Sequence, residues 1–336
     1  MRLLIVTQKV DRSDPILGFF HRWIEEFAWQ CERVTVIGQY VAEHDLPANV
    51  SVLSLGKEKG ASRFAQVRTF FRLIREHRDC ATHVLVHMTP IWVVLGCVPW
   101  FLMHRRVYLW YEARGTRWPL RIALRCVRKV FSASGSGMPF GTKKSVIVGH
   151  GIDTERFRPG DSAFERELLV SVGRITPSKR IPVLFAPLLA SRACCLTIAG
   201  TPITSADRWY AQQIEDLIRS EGLGGRVTIG PLDQEGLLAL LRDAHVFLHA
   251  SETALDKALL EAMACGVPVV TTSAAARGVV PEECFAADSA FVSRVQAMIA
   301  LPPERRWELG GRLRRTVQEG HSLPRLVRRL VAEMEA

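Results

Sequence analysis

The chain has no Cys-x-x-Cys pair and no Asp-x-Asp anywhere in its 336 residues. Its eight cysteines, at 31, 80, 97, 126, 194, 195, 265 and 284, are scattered, and several stand in apolar surroundings as free buried thiols do. That pattern argues against a structural zinc site and a disulfide framework, and for a reducing cytoplasm. Long apolar runs are also missing. The longest, IWVVLGCVPWFLM from Ile91 to Met103, has 13 residues and contains a Gly and a Pro. A bilayer core asks for about 20 residues, so this segment does not span; it is either a buried helix or a surface that dips into a membrane interface. The opening MRLLIVTQKV has too short an apolar run for a signal peptide and reads as a first strand.

Acidic residues are scarce in the first half only. Residues 1–150 hold 22 Lys and Arg against 11 Asp and Glu, whereas residues 151–336 hold 22 against 23. The whole excess behind the net charge of +10 therefore belongs to the first half. Such a field attracts anionic lipid surfaces, nucleic acids or acidic substrates, or serves solubility alone. The arginines show no groove-reading motif and no aromatic platform, so nucleic acid is not expected as a partner.

What is present is an ordinary globular composition, 48% hydrophobic and 23% charged, at a length suited to two domains. Short apolar, mostly β-branched runs alternate with amphipathic ones. Strand candidates in the first half are residues 3–7, 34–38, 83–87, 107–110 and 146–149; in the second they are 168–173, 196–200, 226–230, 245–250 and 267–272. Runs apolar on both faces, alternating with helices, mean parallel sheets covered on each side. The alternation occurs twice, joined by a loop-rich stretch at 149–162. The expected fold is α/β: two doubly wound Rossmann-like domains facing a central cleft, with ligands at strand carboxyl ends. The glycine-rich SASGSGMPFG at 132–141 lacks dinucleotide-fingerprint spacing and reads as a loop.

The second half concentrates the chemistry. The stretch ASETALDKALLEAMACGVPVVTT (250–272) packs Glu252, Asp256, Lys257 and Glu261 before an apolar run. With Asp256 as N-cap, the first-turn N–H groups from Lys257 through Ala258 to Leu259 point at a strand's carboxyl end, where a diphosphate meets the positive end of the helix dipole. Lys257 and Glu261 are four apart and share a face, so the carboxylate can reach a hydroxyl-rich group beside the phosphates. A plain surface helix with one Glu–Lys pair is the competing reading. In SVGRITPSKR (171–180), a strand ends at Gly173, and Arg174 and Lys179 sit around the following turn. Two cations there suit a leaving diphosphate, and side chains rather than a metal ion would neutralise it. Exposed charge is again the alternative.

These residues resemble the GT-B-fold retaining glycosyltransferases known as group one, or family four. The resemblance rests on Gly173-Arg174 with Lys179, on LLEAMACGVPVV around Glu261, and on HGID (150–153) before Phe157 and Pro159; AG (199–200), VTIGPL (227–232) and HSL (321–323) add to it. It implies an N-terminal acceptor domain over 1–152, a nucleotide-sugar donor domain over 153–321, and a closing helix over 322–336 that packs back on the first domain. Arg174 and Lys179 would hold the donor diphosphate, joined by Lys257, and Glu261 would bind the ribose. The family's other glutamate, in a Glu-Gly-Phe-Gly loop, corresponds to position 253. Here that residue is Thr253, with Glu252 one place early and Asp256-Lys257 in place of Phe-Gly. In the first domain Gly18-Phe19 would approach the donor phosphates, and His87 would lie near the acceptor. A His-Gly common in the family becomes Arg114-Gly115, preceded by Glu112. The expected activity is sugar transfer from a nucleotide donor, with no cofactor, to a glycan or lipid-linked acceptor, in the cytoplasm and at an anionic membrane face. A non-catalytic nucleotide-sugar-binding relative, or an epimerase or phosphorylase on the same scaffold, remains the alternative.

Overall fold

The structure, a computed structural model, describes residues 1–14, 17–113, 118–139, 141–160 and 167–336. They divide into two compact units, Met1–Gly151 with Leu323–Ala336, and Ile152–Ser322. In the first, β1 (Arg2–Val10) leads to α1 (Phe19–Gln30), β2 (Arg33–Val41) and β3 (Val50–Ser54). Then come α2 (Arg63–Glu76), β4 (His83–His87), α3 (Pro90–Leu102), β5 (Arg106–Trp110), α4 (Trp118–Cys126), β6 (Lys129–Ser132) and β7 (Ser145–Ile147). The strands run parallel in the order β3-β2-β1-β4-β5-β6-β7, so the winding reverses between β1 and β4. Strand β1 is central because its residues from Leu3 to Thr7 are buried whichever face they point to. Leu3 and Ile5 enter one core cluster with α1, whereas Leu4 and Val6 enter the other with α2, α3 and α4. This is the two-residue period of a strand covered on both sides.

The apolar run at 91–103 forms α3, which is neither wholly buried nor wholly surface. Trp92, Val93 and Trp100 face the core, while Val98, Phe101 and Leu102 are exposed. The glycine-rich 132–141 stretch contains one short 3-10 turn, Gly135–Gly137.

The second unit runs β8 (Leu168–Val172), α5 (Ile181–Ala190), β9 (Cys195–Ala199), α6 (Ser205–Ser220), β10 (Val227–Gly230), α7 (Gln234–Asp243) and β11 (Val246–His249). It ends with α8 (Lys257–Ala264), β12 (Val269–Thr271), α9 (Phe291–Ile299) and α10 (Pro303–Gly320). Its parallel sheet has the order β10-β9-β8-β11-β12, with the reversal between β8 and β11. Helix α6 starts where Thr204 and Asp207 cap each other's backbone N–H groups, a reciprocal box that satisfies two first-turn donors.

The last helix, α11 (Leu323–Glu335), belongs to the first unit. Leu323, Leu326, Val327, Leu330 and Met334 recur at helical spacing and pack with Phe20, Trp23 and Phe27 of α1. The Tyr108 hydroxyl donates to the Met334 carbonyl at 2.7 Å, and Lys129 reaches the Glu333 carboxylate at 2.8 Å. Among the described residues no helix is long and apolar enough to cross a membrane. Leu330 is fully buried, so Leu330→Ala should cost about 2–5 kcal/mol. Urea denaturation of the full chain reads this; an unchanged midpoint would contradict a structural role for α11.

Candidate active site

In an open parallel sheet, loops leaving two adjacent strands in opposite directions open a crevice at the reversal point. In the second unit those loops follow β8 and β11, and they carry most of the charged residues singled out above. The chain leaves β8 through Gly173, whose φ of +148° lies where a side chain is rarely accepted. A Cβ there would meet Lys179 Cε at 2.8 Å, so the Lys179 stem lies over the glycine. A Cβ on Gly200 would fall 1.8 Å from the Gly173 carbonyl oxygen. Gly200 is therefore demanded by close backbone approach where β8 and β9 end, and Gly173 by its backbone conformation under the Lys179 stem. Arg174 follows Gly173 and is exposed.

The two loops are joined directly. Glu252 N–H donates to the Ser178 carbonyl at 3.0 Å, and the Lys179 ammonium pairs with the Asp256 carboxylate. Asp256 occupies the N-cap position of α8, but no side chain caps that helix. Its carboxylate instead turns to Lys179 and to His249 Nε2, the latter at 3.3 Å. This corrects the N-cap role expected from sequence: a charged partner across the strand gap outcompetes a local N–H. Burial alone would raise the Asp256 pKa; the His249 hydrogen bond and the Lys179 charge overcome that and hold the carboxyl well below its ordinary range.

At the first residue of α8, Lys257 pairs with Glu261 one turn further on, and its ammonium lies 5.6 Å from the Phe157 ring centroid. Glu261 is buried, as are Ala258 and Leu259 of the same helix. The structure thus brings Lys179, Asp256, Lys257 and Glu261 into one run of alternating charge. Glu252 lies beside it, its carboxylate 3.4 Å from Arg180.

Sequence reasoning passed over three residues here. His249 ends β11 and is registered against Thr271 of β12; its Nδ1 lies 2.8 Å from the Thr271 hydroxyl. Polar residues closing two otherwise apolar strands were the available signal. Arg180 has φ +50°, unusual for a residue with a side chain, and its guanidinium clamps Asp288 at 2.5 and 3.2 Å. It holds the turn after β8 against a loop before α9.

In the first unit, Gly18 and Phe19 stand at the start of α1, with Gly18 N–H donating to the Asp14 carbonyl at 3.0 Å. His87 ends β4 but is buried: its ring stacks on Phe20 at 4.0 Å, and Nδ1 lies 3.2 Å from the Thr7 hydroxyl. Burial pushes its pKa down to about 3, so it is neutral at physiological pH. Glu112 sits just past β5 and accepts from the Ser132 hydroxyl at 2.6 Å, Ala133 N–H at 2.6 Å and the Ser134 hydroxyl at 2.9 Å. Burial raises its pKa despite those donors. Arg114 lies outside the described residues. Among the described residues no group of three or more His, Cys, Asp or Glu could hold a metal ion.

The depressed Asp256 pKa fixes the sign of a pH effect. An ionised carboxylate favoured by the fold contributes stability above its unfolded pKa of about 4, and that contribution fades as pH falls further. Asp256→Asn should cost about 3 kcal/mol near pH 7, with the gap to the natural chain narrowing below about pH 4. Thermal unfolding of both chains between pH 7.5 and 3 tests this; a gap independent of pH would contradict it.

Residues 166–300 match the family model described as Glycosyl transferases group 1. No curated protein matches the sequence. Solved structures share the fold at low identity. HepE of Anabaena, solved with UDP and with UDP and glucose, superposes with a TM-score of 0.77 at 14% identity, covering 100% of each chain. Sucrose-phosphate synthase of Thermosynechococcus elongatus gives a TM-score of 0.78 at 17% identity over 99% of this chain and 98% of that one. The lipopolysaccharide outer core galactosyltransferase WaaB, in apo form, gives 0.70 at 13% identity over 100% of each. Residues 166–300 thus resemble the group 1 glycosyl transferases, and the chain shares the GT-B fold of these solved structures along its length.

Proposed function

We propose that this chain is a retaining glycosyltransferase that moves a sugar from a nucleotide-diphosphate donor onto a glycan or lipid-linked acceptor in the cytoplasm, without a metal ion. The observation that carries the reading is the pair of ammonium–carboxylate contacts, Lys179–Asp256 and Lys257–Glu261, at the strand-order reversal of the second unit. Each lysine rests on a carboxylate that an incoming phosphate can replace. HepE, a structure of the same fold, holds UDP, which supports a nucleoside diphosphate as the donor's leaving portion.

As the bond between anomeric carbon and phosphate oxygen stretches, negative charge grows on the diphosphate. Lys179, Lys257 and the exposed Arg174 would stabilise it there, supplying the positive charge that a divalent ion would otherwise bring. Lys179 is held over Gly173 beforehand, so little ordering is left for the moment of reaction. Glu261, Glu252 and the α8 start (Ala258, Leu259) would hold the nucleotide and the sugar. The acceptor hydroxyl would attack the face that the diphosphate leaves, passing its proton to a phosphate oxygen. That route retains the anomeric configuration without an enzymic nucleophile. Glu112 would orient the acceptor, whereas His87, enclosed by aromatic rings, would shape the pocket wall rather than touch the substrate.

Lys179→Ala should lower kcat about 100-fold or more, measured at a temperature where thermal unfolding shows the variant still folded, since one developing charge loses its partner; leaving Asp256 without its cation should lower the unfolding midpoint as well. Nuclear magnetic resonance of the product's anomeric carbon should show the donor's configuration preserved. An inverted product, or undiminished turnover by the Lys179 variant, would overturn the reading.

A further inference from the structure

Helices α2, α3 and α4 form one layer over one face of the first unit's sheet. Their inward residues share a cluster: Phe70 and Ile74 from α2, Trp92 and Trp100 from α3, Leu120 and Ala123 from α4. The Phe70 ring lies 4.7 Å from that of Trp92 and 5.8 Å from that of Trp100, which fixes α2 against α3. The outward residues are not those of an ordinary solvated layer. Phe64 on α2 is 81% exposed, Phe101 and Leu102 on α3 are 78% and 70%, and Trp118 on α4 is 64%. Val98 and Ile122 add to them. Single exposed apolar side chains are normal, as with Trp29 on α1 or Trp307 on α10; several on adjacent helices of one layer mark an interaction surface.

The same layer is strongly basic. Arg63, Arg68, Arg72 and Arg75 of α2 and Arg121 and Arg125 of α4 are all exposed, against Glu76 as the one acidic residue of the three helices. A second copy of this face would set arginine against arginine, so self-association through it is disfavoured. A surface that accepts both apolar tips and guanidinium groups must be oily just beneath a layer of anions. We propose that the outer face of α2, α3 and α4 docks the chain on an anionic lipid bilayer, apolar tips in the headgroup–acyl boundary and arginines on lipid phosphates. Helix α3 lies in that boundary and does not cross it: its 13 residues span about 20 Å, short of a hydrocarbon core, and Pro99 interrupts its outer half.

This deepens the transferase reading by saying where a lipid-linked acceptor is met, and its test is independent of turnover. The full chain is sedimented with vesicles of phosphatidylcholine alone or with a third of phosphatidylglycerol, at low salt and at 0.5 M salt. Anionic vesicles should retain it at least tenfold better, and the added salt should weaken that retention. The double substitution Phe101→Ser with Leu102→Ser, and separately Arg68→Glu with Arg72→Glu, should each lower retention at least tenfold. Neither should shift the thermal unfolding midpoint or nucleoside-diphosphate binding, which shows that the chain stays folded. Equal retention on both vesicle types, undiminished retention of either variant, or a dimer in solution that Phe101→Ser with Leu102→Ser dissociates would overturn the proposal. A chain that docks yet transfers no sugar defeats only the transferase reading; one that transfers sugar but ignores vesicles defeats only the docking face.

Discussion

The Lys179–Asp256 ion pair joins the loops that leave the second unit's sheet on either side of its strand-order reversal. Nearly every unusual feature of that unit serves this junction. Gly173 and Gly200 let the backbone close up where β8 and β9 end, which gives the Lys179 stem its seat. Thr271 orients His249, and His249 in turn meets the same Asp256 carboxylate oxygen that pairs with the lysine. Arg180 accepts a left-handed backbone to clamp Asp288 and approach Glu252. A partly buried carboxylate with two cationic or hydrogen-bonding neighbours is a tolerable ground state; without them it would have to take up a proton. The junction is therefore a preformed set of positive groups, each paired with a carboxylate.

The first unit solves a different problem with the same grammar. Its sheet is also parallel and covered on both faces, but its two helical layers differ in character. The layer built from α1 and α11 is closed by aliphatic packing and by the Tyr108 and Lys129 contacts to the last helix. The layer built from α2, α3 and α4 leaves aromatic and aliphatic tips among arginines. Charge is divided accordingly, with the excess of Lys and Arg confined to the first half of the chain. At the carboxyl ends of its strands, His87 is kept neutral by burial among aromatic rings, and Glu112 is wrapped by serine hydroxyls and a backbone N–H.

Two parallel α/β units were legible in the sequence because their central strands are apolar on both faces. Strands β3 and β6 were not. The first is an edge strand whose residues are only partly buried, and the second has four residues directly after an arginine-rich helix, so neither produces a clear period. The Lys257–Glu261 pair was readable because i, i+4 spacing on one helix is a local rule. The partner of Asp256 was not, because a local rule offers an N-cap there while the chosen partner is 77 residues away. Likewise the 91–103 run read as buried or membrane-dipping, and only packing shows that one face of α3 is buried and the other exposed.

The most direct measurement is the thermal unfolding of the full chain with UDP, GDP and ADP, each beside its nucleoside monophosphate, repeated with Lys179→Ala. If a pyrophosphate replaces Asp256 on Lys179, one diphosphate at about a hundredfold excess over its dissociation constant should add roughly 2.7 kcal/mol of stability. Its monophosphate should add markedly less, and the alanine variant should lose most of the difference. Equal stabilisation by mono- and diphosphates, or a diphosphate response that survives in the variant, would contradict a pyrophosphate site at this junction.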